Sequence, residues 1–244
     1  MKKLEIEYLE SFDELRKISS KEFLKEKNKI KFFNTNEFSN DQAFMNFRMD
    51  GTIYEQFISM YEGYAETSLF LLEDCIKNRI SNKKDIWMFP IFFNTIHALE
   101  LFLKATRYFL ENNFENYTDI TWEGHNILQL STVVNKKIKE SNEFSKFETD
   151  FKLIHTFIKT IADMFKIDTV DKYTFIAPRY PITKQGVPYK YVEQNEKIED
   201  TEFYKDENFK IEMSNLRIWL LKVYQVCEDF NMYIQEYFEN LSNE

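Results

Sequence analysis

The chain has 244 residues, 43% of them hydrophobic, 17% aromatic and 30% charged, a composition that supports a large buried core and excludes disorder over most of the length. Its net charge of −9 has the wrong sign for a protein that coats nucleic acid, because neutralising phosphates needs clustered Lys and Arg, although a small local RNA site stays open. The opening Met1-Lys2-Lys3-Leu4 lacks an apolar run of signal-peptide length and no stretch of 18 uncharged apolar residues occurs, so a soluble cytoplasmic protein without membrane contact is expected.

Residues 1–50 read as an N-terminal helical extension, with a helix over about 11–28 opened by a capping box of Ser11 and Glu14. An Asn-rich connection follows. Thr52 and Glu55 form a second capping box, and behind it Ile53, Phe57, Ile58, Tyr61, Ala65, Leu72 and Ile76 recur at helical spacing, predicting an amphipathic helix over about 53–80. A second helix is expected over about 87–112; it is apolar on nearly every face, which marks it as central, and Pro90 fits only if it stands in the first turn. Helices over about 126–141 and 150–166 come next, the latter with caps available from Glu148, Thr149 and Asp150.

Three of the four prolines, Pro178, Pro181 and Pro188, fall close together with Gly186, so the segment 167–206 should be the longest irregular or hairpin stretch. The last helix, about 207–241, places Leu216, Trp219, Val223, Val226, Phe230, Tyr233 and Tyr237 at spacings of three and four, widened by Leu220, Cys227 and Ile234. A stripe that wide fits a bundle helix, or a helix that also covers a partner subunit; a homodimer is expected, with Tyr233 and Tyr237 as exposed members of the face. Cys75 and Cys227 lie far apart in apolar patterns and read as buried small hydrophobes.

Along the central helix, Asn94, His97, Glu100, Lys104, Arg107 and Glu111 line up at spacings of three or four. Either this polar stripe is the wet edge of the helix or it faces a cleft where a His, a carboxylate and an ammonium hold a ligand. No phosphate-binding glycine loop, nucleophile elbow or zinc-protease motif is present, and His97, His125 and His155 do not cluster in sequence, so neither a cofactor nor a metal is expected.

Three segments together resemble the HEPN-like bacterial proteins: the apolar helix Pro90 to Lys104 with His97, Glu100 and Lys104; Gly124-His125-Asn126-Ile127-Leu128-Gln129-Leu130; and Phe175-Ile176-Ala177-Pro178-Arg179-Tyr180-Pro181. The resemblance spans about residues 53–241 and implies an all-α, HEPN-like helical domain over 51–244, a homodimer, and a role in bacterial defence or toxin–antitoxin-type systems. It further implies a ligand of RNA or nucleotide type, a protein partner from the same system, and a site of His97, Glu100, Lys104, His125 and Arg179.

The ribonuclease members of that family carry an Arg four to six residues ahead of the catalytic His. No Arg lies within seven residues before His97, His125 or His155, and Ile96 stands where an Arg often precedes the helix His. Whether the chain is an enzyme is therefore open at this level. The alternative is a non-catalytic interaction module in which the five residues form a structural lock.

Overall fold

The computed structural model describes residues 52–77, 81–114, 126–164 and 211–242. They form five helices: α1 Ile53–Lys77, α2 Ser81–Phe114, α3 Ile127–Glu140, α4 Glu148–Met164 and α5 Met213–Ser242, with a single 3₁₀ turn at Ser145–Phe147 leading into α4. No strand occurs among the described residues, and the architecture is an all-α bundle. The expected helix at 11–28 and the proline-rich segment 167–206 lie outside the described residues.

Local chemistry accounts for several helix ends. At α1 the capping box forms: the Thr52 amide donates to the Glu55 carboxylate and the Glu55 amide donates to Thr52 Oγ1 at 3.3 Å, so two otherwise orphaned N–H groups are satisfied. Asn126 caps α3, its Oδ1 accepting from the Gln129 amide at 2.9 Å. For α4 the Glu148-Thr149-Asp150 side chains do not act as the cap; the 3₁₀ turn winds directly into the helix, and Glu148 and Asp150 sit in its first turn, where negative charge complements the dipole.

Pro90 departs from expectation. The helix begins at Ser81, six residues earlier than the periodicity suggests, and the proline lies in its third turn. A proline there removes one backbone donor, and the carbonyl left without it belongs to Ile86. Both Ile86 and Pro90 are on the exposed face, so water can satisfy that carbonyl and the helix continues.

The helices close into a ring in which each packs on its chain neighbours, and α5 returns to α1. Inside the ring the core is unusually aromatic. Phe102 of α2, with no exposed surface, meets Tyr61 of α1 at 5.4 Å, Phe151 of α4 at 6.0 Å and Phe230 of α5 at 6.1 Å between ring centroids. Two turns on, Phe109 meets Tyr54, Phe144 and Phe238 at 5.4–5.8 Å. Offset or edge-on pairs of this kind each add about 0.5–1.5 kcal/mol beyond area burial. The centrality expected for α2 follows: its rings reach every other helix except α3, which it touches directly. The stretch Lys84–Asn113 is long and apolar enough by composition to cross a membrane, but more than half of it is buried within the bundle, as in a core helix.

Polar links fix the register of α1 on α5. The Tyr54 hydroxyl donates to Asn231 Oδ1 at 2.9 Å, the Tyr224 and Ser68 hydroxyls lie 2.8 Å apart, and Arg217 donates to Glu73 Oε1 at 2.9 Å. Burial pushes the Tyr224 phenol up to about 12, partly opposed by its bond to Ser68. Both cysteines are buried thiols outside any disulfide.

The wide stripe of α5 belongs to the bundle itself. Leu220, Val223, Cys227, Phe230 and Ile234 are fully buried, and Trp219 stacks on Phe157 of α4 at 5.8 Å. Tyr233 and Tyr237, expected as exposed members, are instead half-buried: Tyr233 packs on Phe147 at 5.2 Å and under the Lys146 ammonium at 3.4 Å, and Tyr237 packs on Phe109 at 6.0 Å. Among the described residues, the exposed apolar side chains of α5 are Ile218, Leu221 and Met232, together with Trp219 of the stripe itself.

Candidate functional site

The polar stripe of α2 is not a wet edge. Glu100 and Glu111 are buried, while Asn94, His97, Lys104 and Arg107 are half-buried. A carboxylate withdrawn from water loses several kcal/mol of hydration unless a cation stands close, and both have one. Lys104, one turn on, donates to Glu100 Oε1 at 2.7 Å, with side chains only 18% and 5% exposed. Arg107 Nε donates to Glu111 Oε1 at 2.8 Å, and Lys137 from α3 approaches the same oxygen at 3.6 Å. The second group ties α2 to α3 and explains why a charged residue sits inside the interface.

The first group differs, because it includes a histidine held by aromatic rings. His97 stacks nearly parallel to Phe93, one turn earlier, at 5.9 Å between centroids and 8° between planes. Tyr64 of α1 meets the imidazole edge-on at 4.5 Å. His97 Nδ1 is turned inward to 3.9 Å from Glu100 Oε2, is buried and makes no hydrogen bond. Since 23% of the side chain remains exposed, the accessible edge of the ring lies away from Nδ1. Glu100 thus stands between an ammonium on one oxygen and an imidazole on the other.

His97, Glu100 and Lys104 therefore converge on one patch, as their spacing on a helix requires. His125 and Arg179 lie outside the described residues. Two contributors are absent from the sequence-derived set. Phe93 precedes His97 by four residues, so helical spacing alone could have identified it; Tyr64 comes from another helix, and only packing puts it there. A further His pairing appears at the α3–α4 interface, where His155 Nδ1 lies 2.9 Å from the buried Ser131 Oγ. Burial, reinforced by Lys159, holds the His155 imidazole below its usual range. Ser131 is 1% exposed and its hydroxyl also lies within bonding distance of the Leu128 carbonyl, so this pair tethers α3 to α4.

Among the described residues no group of three or more His, Cys, Asp or Glu side chains could hold a metal ion. Among the described residues the patch offers an imidazole edge, two aromatic rings and the Glu100–Lys104 ion pair. No protein-family model matches the chain, and neither a characterised protein nor a solved structure is detectably similar to it.

Proposed function

We propose that this chain is a HEPN-like protein of a bacterial defence or toxin–antitoxin-type system that binds RNA or nucleotides at the patch around His97. One observation carries the reading: His97 is gripped by Phe93 and Tyr64 with Nδ1 turned toward the buried Glu100, leaving the opposite ring edge accessible. Preorganised imidazole beside aromatic rings is the equipment by which proteins engage unpaired nucleotides, through stacking and hydrogen bonds to base edges. Lys104 would hold Glu100, and Glu100 would hold the ring. The reading carries with it a cytoplasmic homodimer, for which Ile218, Trp219, Leu221 and Met232 are the exposed apolar candidates on α5.

The test is binding and cleavage of labelled single-stranded RNA by the full chain in chelator, with His97→Ala as the comparison. Loss of affinity by about tenfold or more, equivalent to 1.4 kcal/mol, at an unchanged melting temperature is the expected result. Equal binding by both proteins, or none by either, would discard the proposal.

A second reading has its own support. The Glu100–Lys104 pair is buried enough to serve as a structural lock in a non-catalytic protein-interaction module, and the family's Arg-before-His signature is absent from the sequence. In that case His97→Ala leaves RNA behaviour unaffected, and a protein partner from the same system would be retained by wild type and variant alike.

A further inference from the structure

The charge balance and orientation within the patch specify which part of a nucleotide it can take. Resting on the reading of the patch as an RNA or nucleotide site, we infer that the His97 edge binds a neutral hydrogen-bond donor on a nucleoside, a base N–H or a sugar hydroxyl, and not a phosphate, and that Glu100 is the positioning residue that sets this preference.

The argument begins with the imidazole. In its neutral form the ring carries one proton, and the nitrogen that bears it is decided by what the other nitrogen faces. Nδ1 is buried and 3.9 Å from Glu100 Oε2. A nitrogen lone pair pointed at a carboxylate is repelled, whereas an N–H pointed at it is attracted. Their separation exceeds hydrogen-bond length by under about 1 Å, the kind of looseness that tightens when a ligand arrives. The proton therefore belongs on Nδ1, and Nε2 presents a lone pair to the accessible side. A lone pair accepts from N–H or O–H groups and repels phosphate oxygens.

The charges point the same way. The ammonium of the patch, Lys104, is 2.7 Å from Glu100 Oε1, so the pair sums to zero. One turn along the helix, Arg107 is likewise bonded to Glu111. Phosphate sites are built from uncompensated cations or several converging amides, whereas Lys104 and Arg107 are each bonded to a carboxylate. Phe93 and Tyr64 add ring surface, which suits a planar base.

The experiment is long-range ¹H–¹⁵N correlation of the imidazoles in the full chain at about pH 8, above the ordinary His range, with His97 assigned by loss of its signals in His97→Gln. The expected spectrum is that of the Nδ1–H tautomer. In Glu100→Gln, whose amide can place its carbonyl on Lys104 and its NH₂ toward the ring, the proton should move to Nε2 in a large part of the population. If that variant does not fold, the wild-type tautomer decides the matter alone. Addition of adenosine, guanosine, cytidine or uridine should shift the His97 resonances, and inorganic phosphate at the same concentration should leave them in place. An Nε2–H tautomer in the wild type, or a response to phosphate equal to that to nucleosides, overturns the inference. Failure of nucleosides to act while RNA still binds through His97 overturns this inference alone. Absence of any RNA binding overturns the proposed function as well.

Discussion

Removing the Lys104 ammonium tests whether Glu100 is held as an ion. In Lys104→Ala the carboxylate, 5% exposed, loses a charge-assisted hydrogen bond of 2.7 Å, while the His97 imidazole stands 3.9 Å from its other oxygen. Breaking one side of a buried pair costs about 3–5 kcal/mol, because the partner is left charged and poorly solvated. Lys104 is 18% exposed, so some water can reach the vacated position, and the expected loss is about 2–4 kcal/mol. For a domain of this size that lowers the melting temperature by roughly 5–15 °C. The paired change Glu100→Leu with Lys104→Met removes both charges and keeps the volume, and should lie within about 1 kcal/mol of wild type. Urea unfolding followed by far-ultraviolet circular dichroism on wild type, Glu100→Leu, Lys104→Met and the double variant measures the coupling directly. A loss below about 0.5 kcal/mol in Lys104→Ala, the level of an exposed pair, would refute the reasoning.

Other perturbations give distinct outcomes. Tyr233→Glu should destabilise the monomer by about 2–4 kcal/mol, since it removes a ring packed on Phe144 and Phe147 and sets a carboxylate near Glu143; if it dissociates an assembly while leaving unfolding unchanged, Tyr233 faces a partner instead. Gly63 lies on the exposed face of α1, where an added methyl group would meet nothing within 4 Å, so Gly63→Ala should stabilise by about 0.5–1 kcal/mol in chemical denaturation. Burial, with repulsion from Glu66 and Glu228, raises the Glu62 carboxyl above its ordinary value of 4.5. Its proton is bound more tightly in the folded chain, so ionisation opposes folding: the penalty is absent below 4.5 and complete above the raised folded value. Glu62→Gln should therefore be more stable than wild type at pH 7 and equal to it near pH 3, as about the limits of that window; a benefit confined to acid would contradict the sign.

The helical class, the core face of α1, the Thr52–Glu55 cap and the central place of α2 are legible in the sequence because each depends on residues within four positions of one another. His97, Glu100 and Lys104 are legible for the same reason, since one turn of helix brings them onto one face whatever surrounds it. Burial is another matter. A periodic pattern gives direction around a helix axis, not what lies opposite, so the same stripe reads equally as a wet edge or as a cleft. Only packing decided that Glu100 and Glu111 are buried, that Tyr64 from α1 closes on His97, and that Lys137 from α3 reaches Glu111. The tyrosines of α5 illustrate the same limit: Tyr233 and Tyr237 sit at the margin of their stripe, and it is the Phe144–Phe147 turn folding over them that makes them core. Pro90 shows the converse, a residue whose local rule predicts a helix start and which is instead carried within α2, because its missing hydrogen bond falls on the side that water can reach. Sequence determined which side chains share a face; the tertiary structure determined which faces are wet, and with that, which charges must be paired.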